Sequence, residues 1–498
     1  MNSVKKAISV LCVVALLCGA LSCISLAADE GYDYKIANPY DGVDWSWKQY
    51  KTDLHSHTTA SDGNDNLKDM LEKQYSYGFD DVAVTDHGTV SYSWTEQKIV
   101  EPLKVFLSAK RPGAVVPLDE NGGTAANGNP YALRKTADTE YYYQIENGVD
   151  GHEMMRVPFG IENNPSSLNN AHVNSWFVDY GHGYLGGTSD YETPIKNVDA
   201  LGGLSVINHP GEYTNARDED ETADAYDVSN THYAYVVDKF TSLLTKYPTC
   251  IGIDVNSKGD TRTRYDRKLW DILLMNVVPT GRNVFAIGSS DAHSVDAVYT
   301  GFVKAVMPEN TPSALKNCLS NGQFFACSKN VGNPEEITDI AFALNETGNK
   351  TATLLAGKLI ELQKNNPKAK YESDKSVDVP EVYGISVDDV ADTIAIRTNG
   401  LCVRWIANGK TIAYGNSIDL DDYKSQIGSY VRAEIFGAGG IVYSQPFTLD
   451  YNEAPLADNN DGFIDLWMLA SVIPDTIVRF IASLPIFGMI WKWIESAN

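Results

Sequence analysis

Two histidines separated by one residue are the strongest chemical feature of this sequence. His55 and His57 lie in the stretch DLHSHTTASDG (53–63), which begins as an extended segment. Because successive side chains of a strand alternate between its two faces, these imidazoles share a face and can bind one cation. Asp62 follows five residues after His57 and adds a carboxylate. The spacing therefore predicts a metal site at the end of this strand.

The same chemistry recurs three times further along the chain. Each later motif places a histidine shortly after a β-branched or apolar run, where a strand is expected to end in a loop. The motifs are VTDHG (84–88), INHPG (207–211) and GSSDAHS (288–294). The residues they contribute are His87, His209, Asp291 and His293. Since active sites of parallel α/β folds lie at the carboxyl ends of the strands, we expect the four motifs to meet at one site.

The type of donor indicates the type of metal. Imidazole and carboxylate ligands together suit Zn, Mn or Fe, whereas a cage of oxygen ligands suits Ca or Mg. Several such ions can lower the pKa of a bound water and hold the substrate oxygens that gain charge during hydrolysis. Neither a Ser-His-Asp nor a Cys-His arrangement is evident, so we expect direct attack by metal-bound hydroxide without a covalent intermediate. Asp62 and His209 are candidates to move the proton in that step.

These ordered motifs resemble those of the PHP (polymerase and histidinol phosphatase) family of metal-dependent hydrolases, over about residues 51–330. The resemblance implies a distorted (β/α)7 barrel with two or three divalent ions at the mouth formed by the carboxyl ends of its strands. It assigns as metal ligands His55, His57, Asp62, His87, His209, Asp291 and His293. It also implies a bridging glutamate in a Gly-x-Glu turn followed by a histidine. Glu162 with His172 fits this description, and Glu153 is the alternative glutamate.

The resemblance implies a phosphoesterase that acts on a small-molecule phosphate ester. The HVN turn (172–174) and the GSSDAH ending (288–293) resemble the branch with carbamate and aryl-ester hydrolases, so these activities are alternatives. Four further residues are candidates for substrate binding: Arg262, Arg264, Arg267 and His182. The arginines could equally form a solvated basic stretch. A surface-binding protein on a barrel scaffold is a third hypothesis, although every ligand motif of the family is filled.

Composition restricts the partners and the redox chemistry. The net charge of −25 repels polyanions, so we expect no nucleic-acid binding, while bound cations would still allow a phosphorylated substrate. Three of the seven cysteines lie in the first 28 residues. The remaining four are too few for a disulfide framework. Cys318 and Cys327 could form one bridge or remain buried thiols.

The first 28 residues have the pattern of an export signal. Two lysines precede a long uncharged run, which ends in small residues before an acidic pair. We expect cleavage near Ala27 or Ala28 and a secreted or cell-surface protein. An uncleaved membrane anchor and a lipoprotein signal ending at Cys23 are the alternatives.

The remainder of the chain divides into four predicted parts. They are an N-terminal arm (29–50), a metallohydrolase domain (51–330) with an irregular insertion over the site mouth (about 91–150), an all-β sandwich-like domain (331–450) and an apolar tail (451–498). Charges and prolines interrupt segment 463–494, which leaves it too short for a spanning helix. We expect it to be amphipathic and to contact either a membrane surface or another protein.

Apolar periodicity and turn residues predict the main elements. Predicted helices cover 66–78, 235–247 and 267–278. Predicted strands of the first domain cover 51–57, 82–85, 203–208, 250–255 and 284–288. Predicted strands of the second cover 394–397, 402–406, 430–436 and 441–446, with Asn408–Gly409 as a hairpin turn.

Overall fold

The computed structural model describes most of the chain between Tyr34 and Asp450. The described ranges are 34–96, 116–163, 171–183, 191–212, 231–257, 265–331, 334–366 and 370–450. The predicted export signal, the apolar tail, Arg262 and Arg264 lie outside them. Within them the protein is a mixed α/β structure. No helix of this part is long and apolar enough to cross a membrane.

The strands of the described ranges are mostly short. They are β1 (Lys35–Ala37), β2 (Gln49–Asp53), β3 (Asp81–Val82), β4 (Gly123–Thr124), β5 (Pro130–Lys135), β6 (Glu140–Glu146), β7 (Val149–Asp150), β8 (Met154–Arg156), β9 (Ile161–Asn163), β10 (Val173–Trp176), β11 (Leu204–Ile207), β12 (Cys250–Asn256), β13 (Phe285–Gly288), β14 (Gly301–Val306), β15 (Phe324–Ser328), β16 (Asn330–Val331), β17 (Tyr371–Glu372), β18 (Val382–Asp388), β19 (Thr393–Thr398), β20 (Cys402–Ala407), β21 (Lys410–Tyr414), β22 (Ser417–Asp419), β23 (Tyr430–Gly437), β24 (Gly440–Tyr443) and β25 (Phe447–Asp450).

Seven α-helices accompany these strands in the described ranges. They are α1 (Leu67–Ser76), α2 (Glu192–Leu201), α3 (Thr231–Lys246), α4 (Asp266–Val277), α5 (Pro312–Asn321), α6 (Pro334–Glu346) and α7 (Lys350–Asn365). Helix α1 shows why the sequence forms a helix here. The Asn66 side chain accepts the N–H of Asp69 and caps the first turn, and Gly78 adopts a φ of 72° just after the last turn.

Two sheets position the four histidine motifs. The larger runs β1-β25-β23-β24-β15-β14-β2-β3-β8-β6-β5-β4, with β2, β3 and β8 parallel. The smaller runs β13-β12-β11-β10-β9, with β11, β12 and β13 parallel. Isolated bridges Ser56↔Ala292 and His87↔Glu162 connect the two sheets. Ser56, His87 and Ala292 follow the carboxyl ends of β2, β3 and β13, whereas Glu162 lies within β9. The motifs therefore converge where the two sheets meet.

The predicted elements agree closely with the observed ones. The helices α1, α3 and α4 and the strands β11, β12 and β13 each lie where the apolar pattern indicated them. The hairpin of β20 and β21 turns at Asn408 and Gly409, whose φ angles of 49° and 69° are those of a type I′ turn. The four described cysteines, including Cys318 and Cys327, are free and buried.

Two predictions differ from the structure. The insertion is not irregular where it is described, because β4, β5 and β6 form antiparallel strands that extend the larger sheet beyond β8. The region after residue 331 is not purely β, because α6 and α7 precede its strands. Apolar residues three and four apart, such as Ile337, Ile340 and Leu344, are buried along α6 and explain that helix. The closed seven-stranded barrel stays a prediction.

The C-terminal strands are continuous with the larger sheet. Ala326 of β15 pairs with Tyr443 of β24, and Lys35 of β1 pairs with Asp450 of β25. The hydrophobic core also spans this region, since Trp270 of α4, Leu344 of α6 and Tyr443 belong to one buried cluster. The predicted arm and the predicted second domain thus pack directly on the part that carries the histidine motifs.

Candidate metal centre

The end of β2 is held in place before its histidines begin. The Asp53 carboxylate accepts hydrogen bonds from the His55 N–H at 3.1 Å, Gln74 Nε2 at 2.9 Å and Ser290 Oγ at 3.3 Å. Gln74 lies on α1, and Ser290 lies in the loop after β13. Asp53 therefore ties the first histidine motif to the last motif of the chain.

Four buried side chains form the floor of the site. His55 Nε2 lies 3.1 Å from His57 Nε2, and these nitrogens lie 3.1–3.3 Å from Glu162 Oε2 and Asp291 Oδ1. A regular tetrahedron with edges of about 3.2 Å has its corners about 2.0 Å from its centre, close to the Zn–N and Zn–O bond lengths in proteins. Five of the distances among these donors match such an edge, and the donor set fits a divalent ion such as Zn²⁺.

Glu162 separates two sets of ligands. Its Oε2 faces His55 and His57 and also lies 3.3 Å from His87 Nδ1. Its Oε1 lies 3.0 Å from His172 Nδ1 and 3.2 Å from His209 Nε2. A carboxylate with its two oxygens directed at different histidines can bridge two ions. The Asn208 side chain orients it by donating a hydrogen bond of 2.8 Å to Oε1.

The alternative glutamate has a different environment. Glu153 lies on the surface and forms a bidentate pair with Arg134, with both N–O distances at 2.6 Å. It is bound to that guanidinium and not to a histidine. Glu162 therefore lies beside the predicted histidine ligands, and Glu153 does not.

The mouth of the site is formed by Asp62 and its neighbours. The Asp62 carboxylate lies 3.2 Å from His293 Nε2, 3.6 Å from His87 Nε2 and 3.6 Å from His57 Nδ1. The Asp62 side chain is 55% exposed and that of His293 32%, whereas the Glu162 side chain is only 1% exposed. The floor of the site is therefore buried, and its mouth is open to solvent.

The structure brings all nine predicted ligands together. Their atoms form three overlapping groups, each suited to one ion, and His209 joins them through Glu162. The groups are His55, His57, Glu162 and Asp291; His57, Asp62, His87 and His293; and His87, Glu162 and His172. Metal binding by these residues remains a prediction, and so does the number of ions.

Burial and neighbouring charges set the protonation of the site. Burial lowers the pKa of His172 to about 4, so this ring is neutral at physiological pH, as a metal ligand must be. Burial also opposes the charge on His57, but hydrogen bonds to Asp291 and Glu162 outweigh it and raise the pKa of His57. For Glu162, burial favours the neutral acid, yet the surrounding histidines hold its pKa well below the usual range. In the absence of metal, a proton on His57 would offset part of the carboxylate charge.

Two of the candidate ligands occupy an unusual backbone conformation. His209 has a φ of 24° and Asp291 a φ of 44°, in the left-handed region that few side chains adopt. Such residues cost of order 1–3 kcal/mol each and persist where the surrounding structure fixes them, often at functional sites.

One residue without a predicted role fixes the loop at the mouth. Asp86 accepts the Thr58 N–H at 2.7 Å, the Thr58 hydroxyl at 2.7 Å and the Ser61 hydroxyl at 2.6 Å. These bonds fix the loop that runs from His57 to Asp62. The signal available in the sequence was the acid directly before the histidine of VTDHG.

His182 lies beside the segment that follows His87. Its Nδ1 accepts the Val90 N–H at 3.2 Å, and the N–H of the adjacent Gly183 donates to the Gly88 carbonyl at 2.9 Å. Gly88 directly follows the candidate ligand His87. The position is compatible with contact to a substrate, which stays a prediction.

The structure corrects the prediction for Arg267. Its guanidinium is buried on α4, where Nε and Nη2 donate to the two Glu336 carboxylate oxygens at 2.5 and 2.7 Å. Its Nη1 donates to the Val255 carbonyl at 3.1 Å. A side chain held in this way joins α4 to α6 and cannot serve as a phosphate clamp at the mouth.

Replacing Arg267 by Met should therefore act on stability. The change leaves the buried Glu336 charge without its main partner, so we expect the free energy of unfolding, measured by urea titration, to fall by about 3–5 kcal/mol. The KM for phenyl phosphate should not change. The double variant Arg267→Met, Glu336→Gln should recover part of the loss, and exposed Arg397→Met should show little change. A raised KM at unchanged stability would restore the substrate-binding role.

Comparisons with known proteins complete the description of the site. No model of a known protein family matches this chain, and no curated protein does. One similar solved structure is a two-domain protein containing a predicted PHP-like metal-dependent phosphoesterase from Bacteroides vulgatus, with a TM-score of 0.34, 12% identity and coverage of 82% of this chain and 89% of that chain. Another is the lesion-specific endonuclease EndoQ from Pyrococcus furiosus, with a TM-score of 0.30, 12% identity and coverage of 54% of this chain and 56% of that chain. This chain therefore spans about half the length of EndoQ. Likenesses at this level carry no argument about activity, which has to come from the residues themselves.

Proposed function

We propose that this protein is a metal-dependent phosphoesterase of the PHP class, with two or three Zn, Mn or Fe ions on the nine clustered ligands. The observation that supports this best is the position of Glu162, whose two oxygens face different histidines across 3.0–3.3 Å. A single structural ion would not require such a division. Adjacent ions sharing a carboxylate are the arrangement used for hydrolytic displacement at phosphorus.

In this reaction the buried and the exposed residues of the site would have different roles. Bound ions would lower the pKa of a water and neutralise the oxygens of the phosphoryl group. Glu162 and Asp291, buried on the floor, would hold the ions in fixed positions and exclude bulk water beneath them. Asp62 stands at the open mouth, where burial would raise its pKa but hydrogen bonds to His293 and His87 lower it. It therefore remains a carboxylate that can accept a hydrogen bond from an attacking water.

His209 is less suited to proton transfer than Asp62. Its ring is 1% exposed, and its Nε2 faces Glu162 and Asp291 at 3.2 and 3.6 Å. Metal binding is the role that this position favours.

The N-terminal pattern supports an exported protein. A positively charged start, a long uncharged run and small residues before an acidic pair form the signal. We place the reaction outside the cytoplasm for this reason, with contact to a membrane or cell surface through residues 463–494 as part of the same proposal.

Parallel assays test the reaction type. Metal-loaded protein is offered phenyl phosphate, phenyl N-methylcarbamate and phenyl acetate, before and after chelation and metal restoration. We expect the phosphate to be hydrolysed, the activity to vanish with chelator and to return with Zn or Mn. Hydrolysis of the carbamate or acetate alone would replace the proposal by the carbonyl-ester alternative. A metal-loaded protein inert toward all three would favour the surface-binding hypothesis.

A further inference from the structure

Three aromatic side chains lie together on segments that are hydrogen-bonded to the residues after the candidate ligand His87. The rings of Tyr92 and Phe159 lie 6.1 Å apart at 86°, and those of Tyr92 and His182 lie 5.5 Å apart at 64°. All three side chains are partly exposed. We call Tyr92, Phe159 and His182 the aromatic wall.

Backbone hydrogen bonds fix the aromatic wall to the loops that carry metal ligands. The Gly88 N–H donates to the Glu162 carbonyl at 3.1 Å, and the Ser91 N–H donates to the Gly160 carbonyl at 2.9 Å. The Gly183 N–H donates to the Gly88 carbonyl at 2.9 Å. Tyr92, Phe159 and His182 are each adjacent in the chain to a residue that forms one of these backbone hydrogen bonds. Gly88 follows His87, whose Nε2 lies 3.6 Å from Asp62 at the mouth, so the wall adjoins a segment that carries a candidate ligand of the mouth.

The rings are also held in defined orientations. The Tyr92 hydroxyl donates to Asp179 Oδ1 at 2.8 Å. His182 Nδ1 accepts the Val90 N–H, so the neutral ring carries its proton on Nε2. Phe159 has a φ of 58°, which is costly for an aromatic residue and persists only where the surrounding structure fixes the backbone.

We propose that the aromatic wall binds a planar aromatic ring in the alcohol portion of the substrate. The proposal rests on the proposed function, because the phosphoryl group would occupy the metal centre while the ring packs on the wall. Aromatic rings prefer offset or edge-to-face contacts at centroid distances of 4.5–7 Å, and the tilted rings of the wall offer both edges and faces. The substrate class is therefore a phosphate ester of an alcohol that carries an aromatic ring.

Two esters that differ only in planarity test this inference. In 2-phenylethyl phosphate and 2-cyclohexylethyl phosphate the leaving oxygen is attached to the same ethyl spacer. We expect kcat/KM to be about three- to tenfold higher for the phenyl ester. A merely apolar surface would prefer the cyclohexyl ester, because it is the more hydrophobic of the two. Equal values, or a preference for the cyclohexyl ester, would overturn the proposal.

Substitutions in the aromatic wall test whether it causes the preference for the phenyl ester. Tyr92→Leu and Phe159→Leu should bring the ratio of the two kcat/KM values close to one, whereas Tyr92→Phe, which keeps the ring, should preserve most of it. Tyr383→Leu, at a half-exposed tyrosine of β18 outside the site, is the matched control and should leave the ratio unchanged. Thermal unfolding of each variant checks that it is folded.

A binding measurement separates the two proposals. Calorimetry compares 2-phenylethylphosphonate with 2-cyclohexylethylphosphonate, which cannot be hydrolysed, on the metal-loaded protein. Tighter binding of the phenyl compound, reduced in Tyr92→Leu, would support the wall even if no phosphate ester were hydrolysed, and only the proposed function would then fail. Equal binding, or no binding of either compound, would overturn the wall while leaving hydrolysis of phenyl phosphate to decide the function.

Discussion

Replacing Glu162 by Gln is expected to lower hydrolysis by on the order of 10³-fold and to remove metal from the protein. The carboxylate contacts His55, His57, His87, His172 and His209, all within 3.3 Å. A neutral amide offers one oxygen and no charge, so it cannot bridge two cations. Metal content by mass spectrometry and kcat on phenyl phosphate measure the two effects.

Glu153→Gln provides the matched control. This glutamate is exposed, pairs with Arg134 and is the other acid that follows a glycine in the same region. We expect metal content and kcat to stay within about twofold of the wild type, as is usual for surface substitutions. If Glu162→Gln kept its metal and its activity while Glu153→Gln lost both, the assignment of the bridging ligand would be reversed.

Stripping the metal is expected to destabilise the protein, and more strongly at alkaline pH. An ion present at about 1,000 times its Kd adds about 4 kcal/mol to the stability of the folded state. In metal-free protein the pKa of His57 is raised above its usual 6.5, so its stabilising proton is fully present below that pH and is lost as the pH rises through the raised value. Glu162 behaves oppositely, since its lowered pKa gives a contribution that is lost only in acid. The stripped protein should therefore be most stable in weakly acidic solution.

Scanning calorimetry at pH 6 and pH 8.5 measures this dependence. We expect the metal-loaded protein to unfold about 10 °C above the stripped protein, with the larger gap at pH 8.5, where metal no longer competes with protons. His152→Ala, which changes a histidine stacked on Tyr75 outside the cluster, should show the same gap. Identical unfolding temperatures with and without metal would contradict the account.

The sequence predicted that the histidine motifs lie close together because each of them follows the end of a strand. Alternation along a strand places His55 and His57 on one face, and the parallel pairing of β2 with β3 brings His87 beside them. His209 follows the carboxyl end of β11 in the smaller sheet, so its approach to them depends on how the two sheets meet. Glu162 could be proposed only from the family resemblance. Its position depends on the pairing of β9 with β10, in which Glu162 lies opposite Asn174. Glu153 could not be excluded because its partner, Arg134, is set by tertiary structure.

The incorrect predictions have a common physical origin. Arg267 follows a strand that ends near the site, and its charge is visible in the sequence, whereas its burial against Glu336, 69 residues away, is not. Asp53 and Asp86 were not assigned roles because their partners come from other elements of the chain. Long-range partners decide whether a polar residue binds a ligand or supports the structure, and one sequence does not specify them.

Elemental analysis of protein purified without added metal tests the central claim most directly. The wild type is measured beside a His55→Ala, His57→Ala double variant and a His152→Ala control. We predict two or three equivalents of Zn, Mn or Fe in the wild type and in the control, and a loss of metal in the double variant. Absence of metal from all three proteins, or equal metal in all three, would contradict a polynuclear centre on these ligands.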